Sequence, residues 1–149
     1  MSAYDNLERL GITLPVPAAP VAAFQLWVQS GNLLFVSGHI AKRDGVPWTG
    51  QLGGELTLDE GREAARLVAI DLLGTLHAAT GDLDRIRIVK LLVLVNSTSE
   101  FRQQHLVANG ASEFLVEILG EKGKHARSAF GAAQIPFGSC VEIELIAEV

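Results

Sequence analysis

Two charged residues sit in surroundings that carry little other charge, and their types suggest one chemistry. Arg127 lies in a run of mostly small residues, His125-Ala126-Arg127-Ser128-Ala129-Phe130-Gly131, and Glu142 opens the stretch Val141-Glu142-Ile143-Glu144-Leu145-Ile146. A guanidinium offers a planar fork of N–H groups that matches the two oxygens of a carboxylate. A glutamate close by can move a proton or position a water. The pair therefore describes a site for a small carboxylate, either hydrolysed or held. The plainer alternatives are an arginine in a surface ion pair and a solvated glutamate on the polar side of a strand. Glu144 shares the parity of Glu142 and reads as structural.

These residues need elements to position them. Val141, Ile143 and Leu145 alternate with acidic residues, the period of a half-buried strand. Pro136 and Gly138 break the chain just before it, so the segment from His125 to Ile146 reads as a β-hairpin. At the other end, Tyr4 to Leu10 has helical spacing and stops at Gly11, and Leu14-Pro15-Val16-Pro17-Ala18-Ala19-Pro20 is an extended arm. Phe24 to Ser30 and Leu33 to Ile40 are strands joined at Gly31-Asn32. Residues 41–56 are glycine-rich and read as a loop. Thr57-Leu58-Asp59-Glu60 is a capping box that starts a helix running to Thr80, and Gly81 ends it. Ile86 to Val95 is a nearly continuous apolar run, a central buried strand interrupted by Arg87 and Lys90. A second helix starts near Ser99 to Phe101, breaks at Asn109-Gly110, resumes over Ala111 to Leu119 and stops at Gly120.

The order ββαβαββ predicts an α+β fold, with two helices covering one face of a mostly antiparallel sheet. It forms one domain over residues 1–149, of which residues 1–23 are an N-terminal helix and proline-rich arm. No third layer is left for the other sheet face, and an oligomer is the economical cover.

Composition narrows the function. Hydrophobic residues make up 48% of the 149 and charged ones 19%, which fits a globular domain and excludes a disordered chain. The net charge of −5 disfavours nucleic acid, because phosphate binding needs clustered Lys and Arg. Only Glu121 to Arg127 concentrates basic residues. The one cysteine, Cys140, excludes an intramolecular disulfide and reads as a small buried hydrophobe. The N-terminus lacks a secretory pattern, and no apolar run approaches the roughly 18 residues of a membrane span, so a soluble cytoplasmic protein is expected. His39, His77, His105 and His125 lack metal-ligand spacing, Gly50-Gln51-Leu52-Gly53-Gly54 lacks a phosphate-loop lysine, and no GxSxG is present. Neither metal nor cofactor is expected.

Several of these stretches carry a resemblance. Ala126-Arg127-Ser128, Ile135-Pro136 and Val141-Glu142-Ile143-Glu144 resemble the C-terminal signature of the RidA/YjgF family of reactive-intermediate deaminases, also called L-PSP endoribonucleases. Gly31-Asn32-Leu33-Leu34-Phe35-Val36-Ser37-Gly38-His39-Ile40 is similar to the family's upstream strand. Asn109-Gly110-Ala111-Ser112 and Gly123-Lys124-His125-Ala126-Arg127 resemble its longer, chorismate-mutase-like branch. The resemblance spans about Phe24 to Val149.

It implies a chorismate-mutase-like fold assembled as a homotrimer, with sites in clefts between subunits. It implies hydrolysis of 2-imino acids, or their enamine tautomers, to 2-keto acids and ammonia without a cofactor. Arg127 would grip the substrate carboxylate and Glu142 would place the attacking water. Phe24, Ser37, Gly38, His39, Ser128 and Ala129 would border the ligand. Phe24 replaces the family's usual tyrosine and His39 its usual glutamine, while His105 falls near an asparagine of the shorter members. These departures keep open a second class, a non-catalytic binding module for small carboxylates. A ribonuclease reading finds little support in an acidic chain.

Overall fold

The capping box forms as expected. Thr57 Oγ1 accepts from the Glu60 N–H at 3.2 Å, and the Glu60 carboxylate accepts from the Thr57 N–H at 3.0 Å. The helix it starts, α2, spans Leu58–Thr80 and ends at Gly81 with φ of 76°. In the computed structural model, which describes residues 1–149, α2 lies beside a second long helix over one face of a five-stranded sheet. The other elements are α1 (Ala3–Arg9), β1 (Trp27–Ser30), β2 (Leu33–Ile40), β3 (Lys42–Arg43), β4 (Val46–Pro47), β5 (Arg87–Asn96), α3 (Gln104–Leu119), β6 (Ala126–Ala132) and β7 (Val141–Glu148). The core lies between the sheet and α2 and α3. Ile88, Leu91, Val93 and Val95 of β5 and Val141, Ile143 and Leu145 of β7 face Ala65, Val68, Leu72, Ala108, Ala111 and Leu115 of the helices. The short α1 docks on α3 through Asn6 Nδ2, which donates to the Ile118 carbonyl at 3.0 Å.

The strand order is β1-β2-β7-β5-β6, antiparallel throughout except for β5 and β6. The segment from His125 to Ile146 is therefore not a hairpin. β5 lies between β6 and β7, because α3 carries the chain from β5 over the helix face and returns it parallel to β5, as a crossover helix does. β6 is left as an edge strand.

Three further expectations are corrected. Asn109-Gly110 does not interrupt α3, which is continuous. Gly110 is there for close packing: a Cβ would lie 2.0 Å from the Arg62 carbonyl oxygen of α2. Residues 41–56 are not entirely loop, since β3 and β4 pair as a small hairpin around Asp44-Gly45. The first strand begins at Trp27, leaving Phe24 ahead of it in a bend.

The second sheet face is uncovered. Val28, Phe35 and Phe130 are about half exposed there, and Leu92, Leu94 and Ile146 are partly so. Glu142 and Glu144 stand on the same face.

Candidate functional site

β6 places Arg127 opposite Leu91 of β5, so its side chain points to the helix layer at the open edge of the sheet. There α3 receives it. Nη1 donates to Asn109 Oδ1 at 2.9 Å and to Ser112 Oγ at 3.1 Å, and Nη2 donates to the His105 carbonyl at 3.1 Å. A guanidinium has five N–H groups. Three are used, leaving the Nε–H and one Nη2–H without a partner in the chain. That number suits a two-pronged bond to a carboxylate, offered by a side chain that is already held.

Ser112 extends this cradle. His125 Nδ1 lies 2.6 Å from the Gly123 carbonyl, which can only accept, so Nδ1 carries the proton. Nε2 then accepts the Ser112 hydroxyl proton across 2.9 Å, and the Ser112 oxygen accepts from Arg127. Burial holds the His125 pKa below its ordinary value, and the Arg127 charge acts in the same direction.

Glu142 occupies the opposite sheet face, between Ile40 of β2 and Leu94 of β5. It is half-buried and makes no hydrogen bond to another side chain. Burial raises its pKa and the neighbouring Glu144 raises it further. A carboxylate shifted upward in this way is suited to accept and return a proton. Its space depends on Gly38, where a Cβ would come 2.4 Å from Glu142 Oε1. Gly38 lies in a bulge of β2 between Val36 and His39 that adds one residue against β7.

The same bulge turns His39 inward. Its Nδ1–H donates to the Ser37 carbonyl and its Nε2 accepts from the buried Thr75 hydroxyl of α2, both at 2.7 Å. The imidazole faces the helices, away from Glu142, with both nitrogens engaged. Ser37 donates its hydroxyl to the Gln25 carbonyl at 2.6 Å and its N–H to the Leu26 carbonyl at 2.9 Å, tying the segment before β1 to β2. Phe24 is 45% exposed beside these contacts. Ser128 is exposed on the Glu142 face opposite Leu92, whereas Ala129 packs against the core beside Val93. The site residues thus fall into two groups. Arg127, with Asn109, Ser112 and the His105 carbonyl, lies on the helix face at the β6 edge. Glu142, with Gly38 and Ser128, lies on the open face. A single chain does not bring the two together.

A hollow of about 880 Å³ belongs to neither group. It lies between the N-terminal arm and α2, lined by Tyr4, Leu14, Pro15 and His77 among others. No cluster of His, Cys, Asp and Glu is arranged to hold a metal. Sequence reasoning noted Asn109, Ser112 and His125 in family-like stretches but gave them no part in holding Arg127. Their signal was that two separate stretches share one signature with Arg127.

The geometry can be set beside known proteins. The family model described as "YjgF/chorismate mutase-like, putative endoribonuclease" matches residues 5–149. Protein TCP17 of Trypanosoma cruzi is 50% identical over 147 residues, covering 97% of this chain and 92% of its own. A solved structure from Shewanella oneidensis with that endoribonuclease name superposes with a TM-score of 0.96 at 30% identity, covering all of both chains. The structure of RidA from an Antarctic Psychrobacter superposes with a TM-score of 0.61 at 30% identity, over 90% of this chain and 94% of its own. With a match over nearly the whole length and the same fold, the chain belongs to the YjgF/RidA family.

Proposed function

We propose that this protein hydrolyses 2-imino acids, or their enamine tautomers, to 2-keto acids and ammonia, at clefts formed between copies of the chain in a cytoplasmic homotrimer. The observation that carries the reading is the state of Arg127: held by three hydrogen bonds, with two N–H groups left free. A planar 2-imino acid presents its carboxylate to those N–H groups. Water adds to the imine carbon as Glu142 takes one of its protons and passes it to nitrogen, giving a carbinolamine. Glu142 then takes the carbinolamine hydroxyl proton and delivers it to nitrogen as the C–N bond breaks, so both water protons leave on ammonia and the water oxygen becomes the keto oxygen. The raised pKa of Glu142 suits both halves of that exchange.

The separation of Arg127 and Glu142 onto two sheet faces supports a shared site, because one copy can supply the clamp and its neighbour the carboxylate. The uncovered apolar face of Val28, Phe35, Leu92, Leu94 and Phe130 supports assembly. A second reading, a binding module that holds a small carboxylate unchanged, is favoured by Phe24, which has no hydroxyl, and by His39, whose ring nitrogens are both engaged.

The test is a coupled assay. An amino-acid oxidase generates imino acid in situ and semicarbazide traps what survives. The proposal expects the wild type to accelerate imine loss and Arg127→Ala not to. No acceleration, with binding of 2-keto acids that Arg127→Ala loses, would move the protein to the binding class.

A further inference from the structure

The hydrogen bonds of His125 and Ser112 leave few choices for Arg127. The Gly123 carbonyl fixes the proton on His125 Nδ1, so Nε2 is an acceptor. The Ser112 hydroxyl has one proton, and with Nε2 at 2.9 Å that proton points to the ring. The lone pairs of Ser112 Oγ then face Arg127 Nη1, 3.1 Å away. Without the acceptor at Nε2, the hydroxyl proton would have no fixed partner, and the oxygen lone pairs would no longer be held towards Arg127 from that side.

We propose that His125 is a positioning residue for Arg127, acting through the Ser112 hydroxyl to keep an acceptor aimed at Nη1. Asn109 Oδ1 and the His105 carbonyl supply the other two anchors, so the free Nε–H edge is presented in one orientation. Arg87, Lys124 and Glu148 line the same shallow hollow as His125, and none of them hydrogen-bonds to the ring. Burial lowers the His125 pKa, which favours the neutral ring this arrangement requires. The consequence for function rests on reading Arg127 as the carboxylate clamp, whereas the positioning itself does not.

Two readouts separate these levels. The first uses nitrogen-15 NMR without ligand. His125 should show the neutral Nδ1-protonated tautomer, and the Arg127 Nη groups should give resolved signals from hindered rotation. Ser112→Ala and His125→Phe should collapse those signals. Ser112→Thr, which keeps the hydroxyl, and His125→Gln, whose amide oxygen can accept in place of Nε2, should retain them. Unchanged Arg127 signals in folded Ser112→Ala and His125→Phe would overturn the proposal, as would an Nε2-protonated His125.

The second readout is pyruvate titration by calorimetry. Ser112→Ala should weaken Kd about five- to tenfold, the size of one lost hydrogen bond, and Ser112→Thr should restore it. If Arg127→Ala binds pyruvate as the wild type does, the clamp reading fails while the NMR result still decides the positioning role.

Discussion

Replacing Gly110 by alanine sets helix propensity against packing, and the two predict opposite signs. In an isolated helix the change stabilises by up to about 1 kcal/mol. In this fold the added Cβ would lie 2.0 Å from the Arg62 carbonyl oxygen, 2.7 Å from its carbon and 2.9 Å from its Cα. All three are backbone atoms of α2, so no side-chain rotation relieves the contact. Reaching even 3.0 Å requires α2 and α3 to separate by about 1 Å, and closely packed interiors resist that. The opening would also stretch the bonds Arg62 makes to the Leu106 carbonyl at 3.2 Å and to Glu113 at 2.8 Å. Overpacking of this kind costs typically 1–3 kcal/mol, and the backbone contact places it towards roughly 3. Less the propensity gain, Gly110→Ala should destabilise by about 2 kcal/mol. Urea unfolding followed by circular dichroism should show a lower midpoint with an unchanged slope. A midpoint at or above the wild type would refute the close-packing account of Gly110.

Gly38→Ala should act on chemistry and leave the fold intact. The clashing atom is the mobile end of Glu142, so the carboxylate swings aside. Imine hydrolysis should fall at least about tenfold, while pyruvate binding through Arg127 is kept. Acid should weaken the protein through His39. Burial lowers its pKa and the Lys42 charge lowers it further, so below about 6.5 the unfolded chain takes up a proton that the folded chain does not. Stability is full above that pH and declines as pH falls towards the folded value. His39→Gln, which does not titrate, should flatten the decline in urea midpoints between pH 7.5 and pH 5, and identical slopes would contradict the assignment. Asp71 and Glu142, shifted upward by burial, act with the opposite sign in a more acidic window above their unfolded values of 3.8 and 4.5. Burial pushes the Cys140 thiol up to about 11, so it should not react with Ellman's reagent at pH 8 until the chain is unfolded.

The parts of the fold legible in the sequence were those set by neighbours in the chain. Thr57 and Glu60 find each other within one turn, and Gly81 ends its helix by its own backbone angle. The apolar run of β5 announced a buried strand because both its faces are lined with apolar residues. Gly110 was misread because the reason for it, the Arg62 backbone, lies 48 residues away in the sequence. The apparent hairpin failed for a related reason. Alternation shows which residues share a face but not which strand pairs with which, and the crossover through α3 inserts β5 between β6 and β7. Arg127 stood out as an arginine in a run of small residues, and Glu142 as the acid that opens an alternating strand. The cradle of Asn109, Ser112 and His125 did not, since small polar residues on a helix are common and only the folded edge strand gives these three a shared partner. The inward turn of His39 required the bulge at Ser37-Gly38, which a two-residue period does not encode.

The most direct test of the site is complementation between two inactive variants. Arg127→Ala retains Glu142, and Glu142→Gln retains Arg127. If each site joins Arg127 of one copy to Glu142 of another, mixing the unfolded variants in equal amounts and refolding them together should restore about one quarter of the wild-type imine hydrolysis, since one random pairing in four reunites the two residues. A mixture as inactive as either variant alone would contradict a site shared between copies.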